Sequence, residues 1–132
     1  MNYWLLKSEP GTWSWKNQKK VKETMWDGVR NYQARNYIMK MKKNDKCFFY
    51  HSVKEKSIVG IVTVTKEYYP DPTDELKKFV VVDVSAYKSL IKPVTLDKIK
   101  KEKKLMKLPL IKQSRLSVMP IDSKSWKIIY KM

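Results

Sequence analysis

One stretch of the chain concentrates side chains that could bind a flat, charged ligand. Residues 26–36, WDGVRNYQARN, hold an indole, an Asp-Gly pair, two arginines and two asparagines. Only three arginines occur among the 29 basic residues, and two of them, Arg30 and Arg35, lie in this stretch. A guanidinium is planar, binds anions through paired hydrogen bonds and stacks on rings, whereas the ammonium of Lys is a point charge. The stretch therefore predicts a site that combines ring stacking with anion binding.

The same stretch predicts a tight turn that leads into a helix. Asp27 and Gly28 favour a turn, because Gly tolerates positive φ and Asp can bond its own backbone. Asn31 is a favourable N-cap, and apolar side chains follow over residues 34–41 with the spacing of one helical face. The unpaired amides at such a helix start suit a phosphate or a base carbonyl. The structural alternative is that Trp26 packs in the core, Asn31 only caps the helix and the arginines are surface charges.

Polar side chains also cluster where the first predicted strand ends. That strand covers residues 2–8, and its alternation places Lys7 and Glu9 on one face with Ser8 on the other. The pair Lys7 and Glu9 suits the rim of a pocket, and the alternative is an ordinary surface ion pair.

The only histidine, His51, ends a predicted strand over residues 46–51, between Tyr50 and Ser52. On a strand, Cys47 and His51 would lie about 13 Å apart, which excludes a metal ion shared by the two. A lone histidine is usually structural, although this cluster of hydrogen-bonding groups also suits a ligand.

The remaining predicted elements must position these groups. Trp13 and Trp15 cannot share one helical face, so one of them should pack and the other stay partly exposed, where it could stack on a base. Three more helices are predicted: one that opens at Thr12, one that Thr95 caps and that reaches residue 103, and a closing helix capped by Asp122 or Ser123. Further strands are predicted over residues 58–66 and 79–87, with a close backbone approach at Gly60. A rigid aromatic loop is predicted over residues 68–72, and short turns over residues 105–116.

Composition and charge favour one folded domain with an anionic polymer as partner. The chain has 132 residues, 42% of them hydrophobic, and a formal net charge of +16. This hydrophobic content supports a core, so we expect a single domain over residues 1–132 rather than a basic tail. A nucleic acid would attract such a surface without regard to sequence. Binding to a membrane surface would require a basic helix with a wide apolar face, and residues 98–107 better fit a solvated helix.

The single cysteine indicates a reduced, intracellular setting. Cys47 excludes an internal disulfide, and its apolar neighbours predict a buried, inert thiol. No segment reaches the roughly 20 apolar residues that cross a bilayer, and no secretory signal is present. We therefore expect a cytoplasmic protein, or a nuclear one if the source is eukaryotic, that acts as a monomer without a cofactor.

Five motifs run in order along the chain: WLLKSEP at residues 4–10, WDGVRNYQARN at 26–36, FFYHS at 48–52, YPDP at 69–72 and SRLSV at 114–118. Together they resemble the EVE-domain proteins, the relatives of thymocyte nuclear protein within the PUA-like superfamily. The resemblance implies an α+β fold, a PUA-like small mixed β-barrel of about five to six strands with short peripheral helices. It also implies binding of nucleic acid that carries a modified base, with the motif at residues 48–52 beside the pocket.

From the residues and the resemblance, we interpret the chain as a module that reads a modified cytosine or adenine flipped into an aromatic pocket. Predicted residues of the base pocket are Trp26, Asn31, Ser8, Tyr50, His51, Ser52 and Tyr69. Predicted residues that bind phosphate or form the pocket rim are Lys7, Glu9, Gly28, Val29, Arg30, Arg35, Arg115 and Ser117. The sequence does not separate DNA from RNA.

Two other functions remain open at this stage. A small hydrolase acting on modified nucleosides could use Lys7, Ser8 and Glu9, although strand alternation turns Ser8 away and no Gly-rich phosphate loop is present. A non-specific electrostatic binder of RNA or DNA would show steep salt dependence and no preference for modified bases.

Overall fold

A six-stranded mixed sheet forms the frame of this computed structural model, which describes residues 1–132. The strands are β1 (Tyr3–Ser8), β2 (Thr24–Met25), β3 (Lys46–His51), β4 (Ser57–Pro70), β5 (Val80–Thr95) and β6 (Val118–Ile121). Their order is β2-β5-β4-β3-β1-β6, with β1 parallel to β3 and the other neighbours antiparallel. The predicted α+β, PUA-like fold is confirmed, but no pairing joins β2 to β6, so the sheet does not close into a barrel.

Short helices connect and cover the strands. They are α1 (Trp15–Lys20), α2 (Tyr32–Lys40), α3 (Leu96–Lys100), α4 (Pro109–Lys112) and α5 (Ser123–Tyr130), with a 3-10 turn at Lys103–Leu105. None of these helices has the length and apolar character that a bilayer crossing requires.

Helix caps agree with the sequence at three of the predicted starts. The side chains of Asn31, Thr95 and Asp122 each accept a backbone N–H at the start of α2, α3 and α5. The prediction for α1 was wrong, because Ser14 rather than Thr12 caps it, in a reciprocal capping box with Asn17. The prediction for the end of α3 was also wrong, since the helix stops at Lys100.

The β4–β5 hairpin is much longer than the predicted strands over residues 58–66 and 79–87. Tyr69 and Pro70 of β4 still pair with β5, and β5 continues through Pro93 to Thr95. Polar residues after Tyr87 resemble a strand end in sequence. They stay extended because this part of β5 keeps its pairing with β4 while its side chains face solvent.

The central strands β1 and β3 are buried on both faces, as the apolar run over residues 46–51 predicted. Leu5, Leu6, Phe48 and Phe49 are completely buried. Trp126 of α5 stacks on Phe48 with ring centroids 3.7 Å apart. This packing fixes the two strands whose ends carry the polar motifs.

Helix α1 packs on β4 at a glycine. A Cβ built on Gly60 would come within 2.3 Å of the Trp15 ring, which confirms the predicted close approach. Trp15 also donates its indole N–H to Ser89 Oγ at 2.9 Å and its backbone N–H to His51 Nε2 at 3.0 Å. Trp15 is therefore the packed member of the tryptophan pair, and Trp13 stays partly exposed.

Candidate functional site

A hollow of about 580 Å³ opens between the two ends of the unclosed sheet. We call it the edge hollow. Thr24 and Met25 of β2 line it from one end, while Lys7 of β1 and Ser117, just before β6, line it from the other. Its volume falls within the ~300–1,000 Å³ of typical small-ligand sites. The other lining residues are Ser8, Glu9, Thr12, Trp13, Trp26, Asp27, Gly28, Val29 and Arg30.

The edge hollow brings together only part of the predicted site. The predicted residues that line it are Lys7, Ser8, Glu9, Trp26, Gly28, Val29, Arg30 and Ser117. The predicted residues outside its lining are Asn31, Arg35, Tyr50, His51, Ser52, Tyr69 and Arg115.

Trp26 lines the edge hollow, and its indole N–H is free to donate a hydrogen bond. The residue is only 8% exposed, and its ring meets Phe49 edge-on with centroids 5.5 Å apart. Its indole N–H has no partner within the protein. Only two solvent-inaccessible side-chain nitrogen or oxygen atoms lack a hydrogen-bond partner, Gln18 Nε2 and Thr65 Oγ1. The indole nitrogen of Trp26 is not one of them, so it remains accessible to solvent. A bound ligand can therefore accept from it.

The turn after β1 forms one wall. Backbone N–H groups of Thr12 and Trp13 donate to the carbonyl of Glu9, and the Ser8 hydroxyl donates to the carbonyl of Trp13. Strand alternation predicted Ser8 on the opposite face from Lys7 and Glu9, but all three line the edge hollow. Lys7 and Ser8 are neighbours within β1, and residues from both faces of a strand can line a hollow at its end, so the alternation of these two side chains stays a prediction.

Lys7 ties this wall to the SRLSV segment. Its Nζ donates to the carbonyl of Ser114 at 2.8 Å and lies 5.7 Å from the ring centroid of Tyr50. Burial, together with the nearby charge of Lys56, lowers the pKa of Lys7. Tyr50 is only 2% exposed, and burial raises its pKa to about 12. Tyr50 thus contacts Lys7 through its buried ring and does not line the edge hollow.

The buried carboxylate of Asp71 stabilises the wall of the edge hollow that Gly28 and Arg30 form. Asp71 is 1% exposed. Its Oδ2 accepts from Gly28 N at 3.1 Å and from a guanidinium nitrogen of Arg30 at 3.0 Å. Its Oδ1 accepts from Thr73 N at 2.7 Å and Thr73 Oγ1 at 2.6 Å. Burial raises the pKa of Asp71, but the hydrogen bonds from Thr73, Arg30 and Gly28 outweigh it and hold the pKa below its ordinary value.

Sequence reasoning missed Asp71. Its signal was an acid between two prolines in YPDP, a motif that was interpreted through its aromatic residue alone. The tight turn predicted at Asp27 and Gly28 was wrong, because these residues lie in an extended loop, but Gly28 does adopt a positive φ of +78°, and a Cβ there would meet nothing within 4 Å. The backbone conformation, not lack of space, therefore requires glycine.

The three arginines lie in different settings. Arg30 lines the edge hollow with 40% of its side chain exposed and also donates to Thr73 Oγ1 at 3.1 Å. Arg35 lies on α2 and donates to the carbonyl of Lys78 at 3.2 Å. Arg115 is exposed outside the edge hollow and forms no ion pair.

The other predicted pocket residues hold local structure. Asn31 Oδ1 accepts from Ala34 N at 2.9 Å, and Ser52 N donates to the carbonyl of Ser8 at 2.9 Å. Tyr69 donates its hydroxyl to Asp83 Oδ1 at 2.5 Å. Burial and the Asp83 carboxylate raise the pKa of Tyr69 to about 12.

A larger hollow of about 830 Å³ lies at the opposite end of β1. It includes the aromatic residues Tyr3 and Trp4 and the lysines Lys40, Lys104 and Lys107. It contains no residue of the predicted site, so size alone does not identify the site. Nowhere do three His, Cys, Asp or Glu side chains gather in a group that could hold a metal ion.

Comparisons with known proteins agree over the whole chain. The profile of the EVE domain family matches residues 2–132. Thymocyte nuclear protein 1 of Rattus norvegicus is 33% identical over 165 residues, which cover 99% of this chain and 73% of that protein. A protein from Rhodopseudomonas palustris, solved by NMR, is 46% identical with a TM-score of 0.94, covering 99% of this chain and 92% of that one. Human THYN1 protein, crystallised in complex with DNA containing 5-methylcytosine, is 30% identical with a TM-score of 0.91, covering 99% and 96%.

Proposed function

This chain belongs to the EVE domain family, and from that membership we propose that it binds nucleic acid and reads a modified base placed in the edge hollow. The observation that carries the proposal is the complex of human THYN1 protein with DNA containing 5-methylcytosine, whose fold this chain shares at a TM-score of 0.91.

The lining of the edge hollow suits a base that carries an added methyl group. Met25, Trp26 and Val29 supply apolar surface, while the indole N–H of Trp26 supplies a donor for the base edge. Burying one methyl group stabilises a complex by about 0.8 kcal/mol, which corresponds to a preference of about fourfold. The polar contacts then distinguish one base edge from another.

Charge supplies affinity without base preference. Most cations of this chain are free to meet phosphates, because the only ion pairs join Arg30 to Asp71 and Lys42 to Glu67. The formal net charge of +16 therefore remains available to an anionic polymer.

We further propose that the protein acts inside the cell, as a monomer. The lone thiol of Cys47 is completely buried, and burial raises its pKa, so it fits a reduced setting and offers no link between copies.

A binding comparison tests the proposed function. DNA and RNA oligonucleotides carrying cytosine, 5-methylcytosine, adenine or a methylated adenine are titrated with the wild-type protein, Trp26→Ala and Trp26→Phe. We expect a preference of about fourfold or more for one modified base over its parent. Trp26→Phe should reduce that preference while salt-dependent binding persists, because the smaller Phe ring still packs on Phe49 but offers less apolar surface to the added methyl group.

The Phe variant keeps the test decisive if Trp26→Ala does not fold, since truncating a buried Trp costs about 3–5 kcal/mol. Equal affinity of the wild-type protein for every modified and unmodified oligonucleotide would contradict the proposal and favour a purely electrostatic binder. Release of a base or nucleoside product would instead favour the hydrolase.

A further inference from the structure

Two of the three arginines and two aromatic rings form a continuous series of contacts. The Cζ of Arg30 lies 5.5 Å from the ring centroid of Phe79, and the Phe79 and Tyr32 centroids lie 5.0 Å apart. The Cζ of Arg35 lies 4.8 Å from the Tyr32 centroid. We call these four residues the arginine–aromatic strip. It begins at the edge hollow, which Arg30 lines, and leads away from it to Arg35.

The strip holds the guanidinium of Arg35 in one orientation. A nitrogen of Arg35 donates to the carbonyl of Lys78 at 3.2 Å, and two others donate to Asn36 Oδ1 at 3.2 and 3.0 Å. These bonds use three of the five N–H groups of a guanidinium, so two stay free. The ring of Tyr32 covers the group, which limits its motion further. Arg35 thus offers free donors from a fixed position.

The two arginines differ in their charge balance. Asp71 neutralises Arg30 at the edge hollow, whereas Arg35 has no carboxylate within ion-pair distance. Lys77 and Lys78 are exposed on the loop beside it. An anion that binds near the edge hollow is therefore attracted along the strip toward Arg35 rather than held at Arg30.

We propose that Arg35 binds one phosphodiester of the nucleic-acid strand whose base occupies the edge hollow, and that Tyr32 is a positioning residue that orients it. The inference rests on the proposed function and adds the contact that fixes the strand beside the base. Tyr32 is 53% exposed, so the surface between the edge hollow and Arg35 is open to a strand.

Single-phosphate neutralisation tests the inference. An oligonucleotide with one 5-methylcytosine is prepared in versions that carry a neutral methylphosphonate at one position at a time on either side of that base. We expect one position to weaken wild-type binding about tenfold, as for a lost charge-assisted hydrogen bond. In Arg35→Gln, binding to the normal oligonucleotide should be weaker, and that position should have no further effect. The slope of log affinity against log salt should fall in magnitude by about 0.7–0.9.

Conservative variants separate orientation from charge. Arg35→Lys should restore most of the salt slope but not the sensitivity to that one position, because an ammonium lacks the planar donors. Tyr32→Phe should keep the sensitivity, whereas Tyr32→Ala should reduce it, since Phe retains the ring under Arg35. Lys124→Gln removes the same charge from α5, outside the strip and the edge hollow, and should leave the sensitivity intact. Thermal unfolding of each variant confirms that it is folded.

The outcomes separate this inference from the proposed function. If the wild-type protein prefers the modified base but Arg35→Gln keeps the full sensitivity to the critical methylphosphonate, the phosphate contact is wrong and the proposed function stands. If the sensitivity depends on Arg35 while modified and unmodified bases bind equally, the contact stands and the proposed function fails. Absence of oligonucleotide binding by the wild-type protein would overturn both.

Discussion

Asp71 determines the shape of the loop that carries Gly28, Val29 and Arg30 into the edge hollow. A fully buried carboxylate is costly unless its oxygens accept enough hydrogen bonds. Each carboxylate oxygen of Asp71 accepts two hydrogen bonds, and one of the four comes from a charged guanidinium. These bonds join the loop after β2 to the loop after β4. The same contacts hold Arg30 at the start of the arginine–aromatic strip.

We expect Asp71→Asn to destabilise the protein by about 2–3 kcal/mol at pH 7. The amide places a donor where Oδ2 accepted from Gly28 and Arg30, so two donors lose their acceptor. The loss should stay below the ~3–5 kcal/mol of a fully buried pair, because the Arg30 side chain is 40% exposed. Urea denaturation measures it. Glu75→Gln, an exposed neighbour, is the matched control, and an equal loss in both variants would contradict a specific role for Asp71.

For single residues, the sequence predicted the roles that depend on nearby positions in the chain. The positive φ of Gly28 and the capping role of Asn31 were predictable from residue type and from neighbours within a few positions. Asp71 was not, because its partner Gly28 lies 43 positions away in the chain. Only the tertiary fold reveals that the acid between two prolines accepts a hydrogen bond from Gly28.

Among the elements, α1 is attached through a contact that titrates near neutral pH. His51 Nε2 accepts from Trp15 N, so the imidazole must be neutral for this bond to form. Burial lowers the pKa of His51, while the charge of Glu55 opposes the shift. The folded protein then binds fewer protons at this site than the unfolded chain does, and the contribution to stability is present above the unfolded pKa near 6.5.

We therefore expect the free energy of unfolding to decrease as the pH falls from 7.5 to 5, in part through His51. In His51→Gln this part of the pH dependence should disappear, because no other histidine is present. Denaturation of both proteins at several pH values measures the difference between them. A difference that does not change with pH would show that protonation of His51 does not weaken the attachment of α1.

Gly60→Ala should destabilise the packing of α1 on β4. The added methyl would lie 2.3 Å from the Trp15 ring, far inside van der Waals contact, so the helix or the strand must shift. Overpacking of this kind costs about 1–3 kcal/mol, and we expect the upper part of that range. Chemical denaturation measures it, and Gly11→Ala is the control because its Cβ would meet only a side-chain oxygen at 3.8 Å. No loss in Gly60→Ala would mean that α1 is not held against this glycine.

The sequence predicted the elements with strong periodicity better than those defined by pairing. The apolar face after Asn31 identified α2, and the apolar run around Phe48 identified β3. The length of the β4–β5 hairpin was not predictable, because its outer part carries exposed polar side chains and depends on hydrogen bonds between the two strands.

For the whole molecule, charge and base preference should separate under salt. The formal net charge of +16 attracts phosphates regardless of the base they carry. We expect added salt to weaken binding of modified and unmodified oligonucleotides by the same factor, with a log–log slope of about −0.9 for each duplex phosphate contacted. Titrations at several NaCl concentrations measure both slopes. A preference ratio that shrinks in parallel with affinity would show that charge, rather than the edge hollow, makes the distinction.

The resemblance that the five motifs carry was enough to predict the fold class, and most of the residues predicted to bind phosphate or form a rim line the edge hollow. It did not predict that the sheet stays open. Burial and pairing of each strand can be inferred from its own pattern, but whether the first and last strands of a sheet meet depends on its total curvature, to which every strand contributes.

Because the sheet stays open beside the edge hollow, positions far from the hollow influence which bases fit into it. Register shifts in β4, near Gly60, Val64 and Lys66, change how strongly the sheet bends. Widening or narrowing that bend moves β2 relative to β1 without altering a single lining side chain. Two proteins with identical contact residues could therefore admit bases of different size, and exchanging β4 between relatives would transfer the difference.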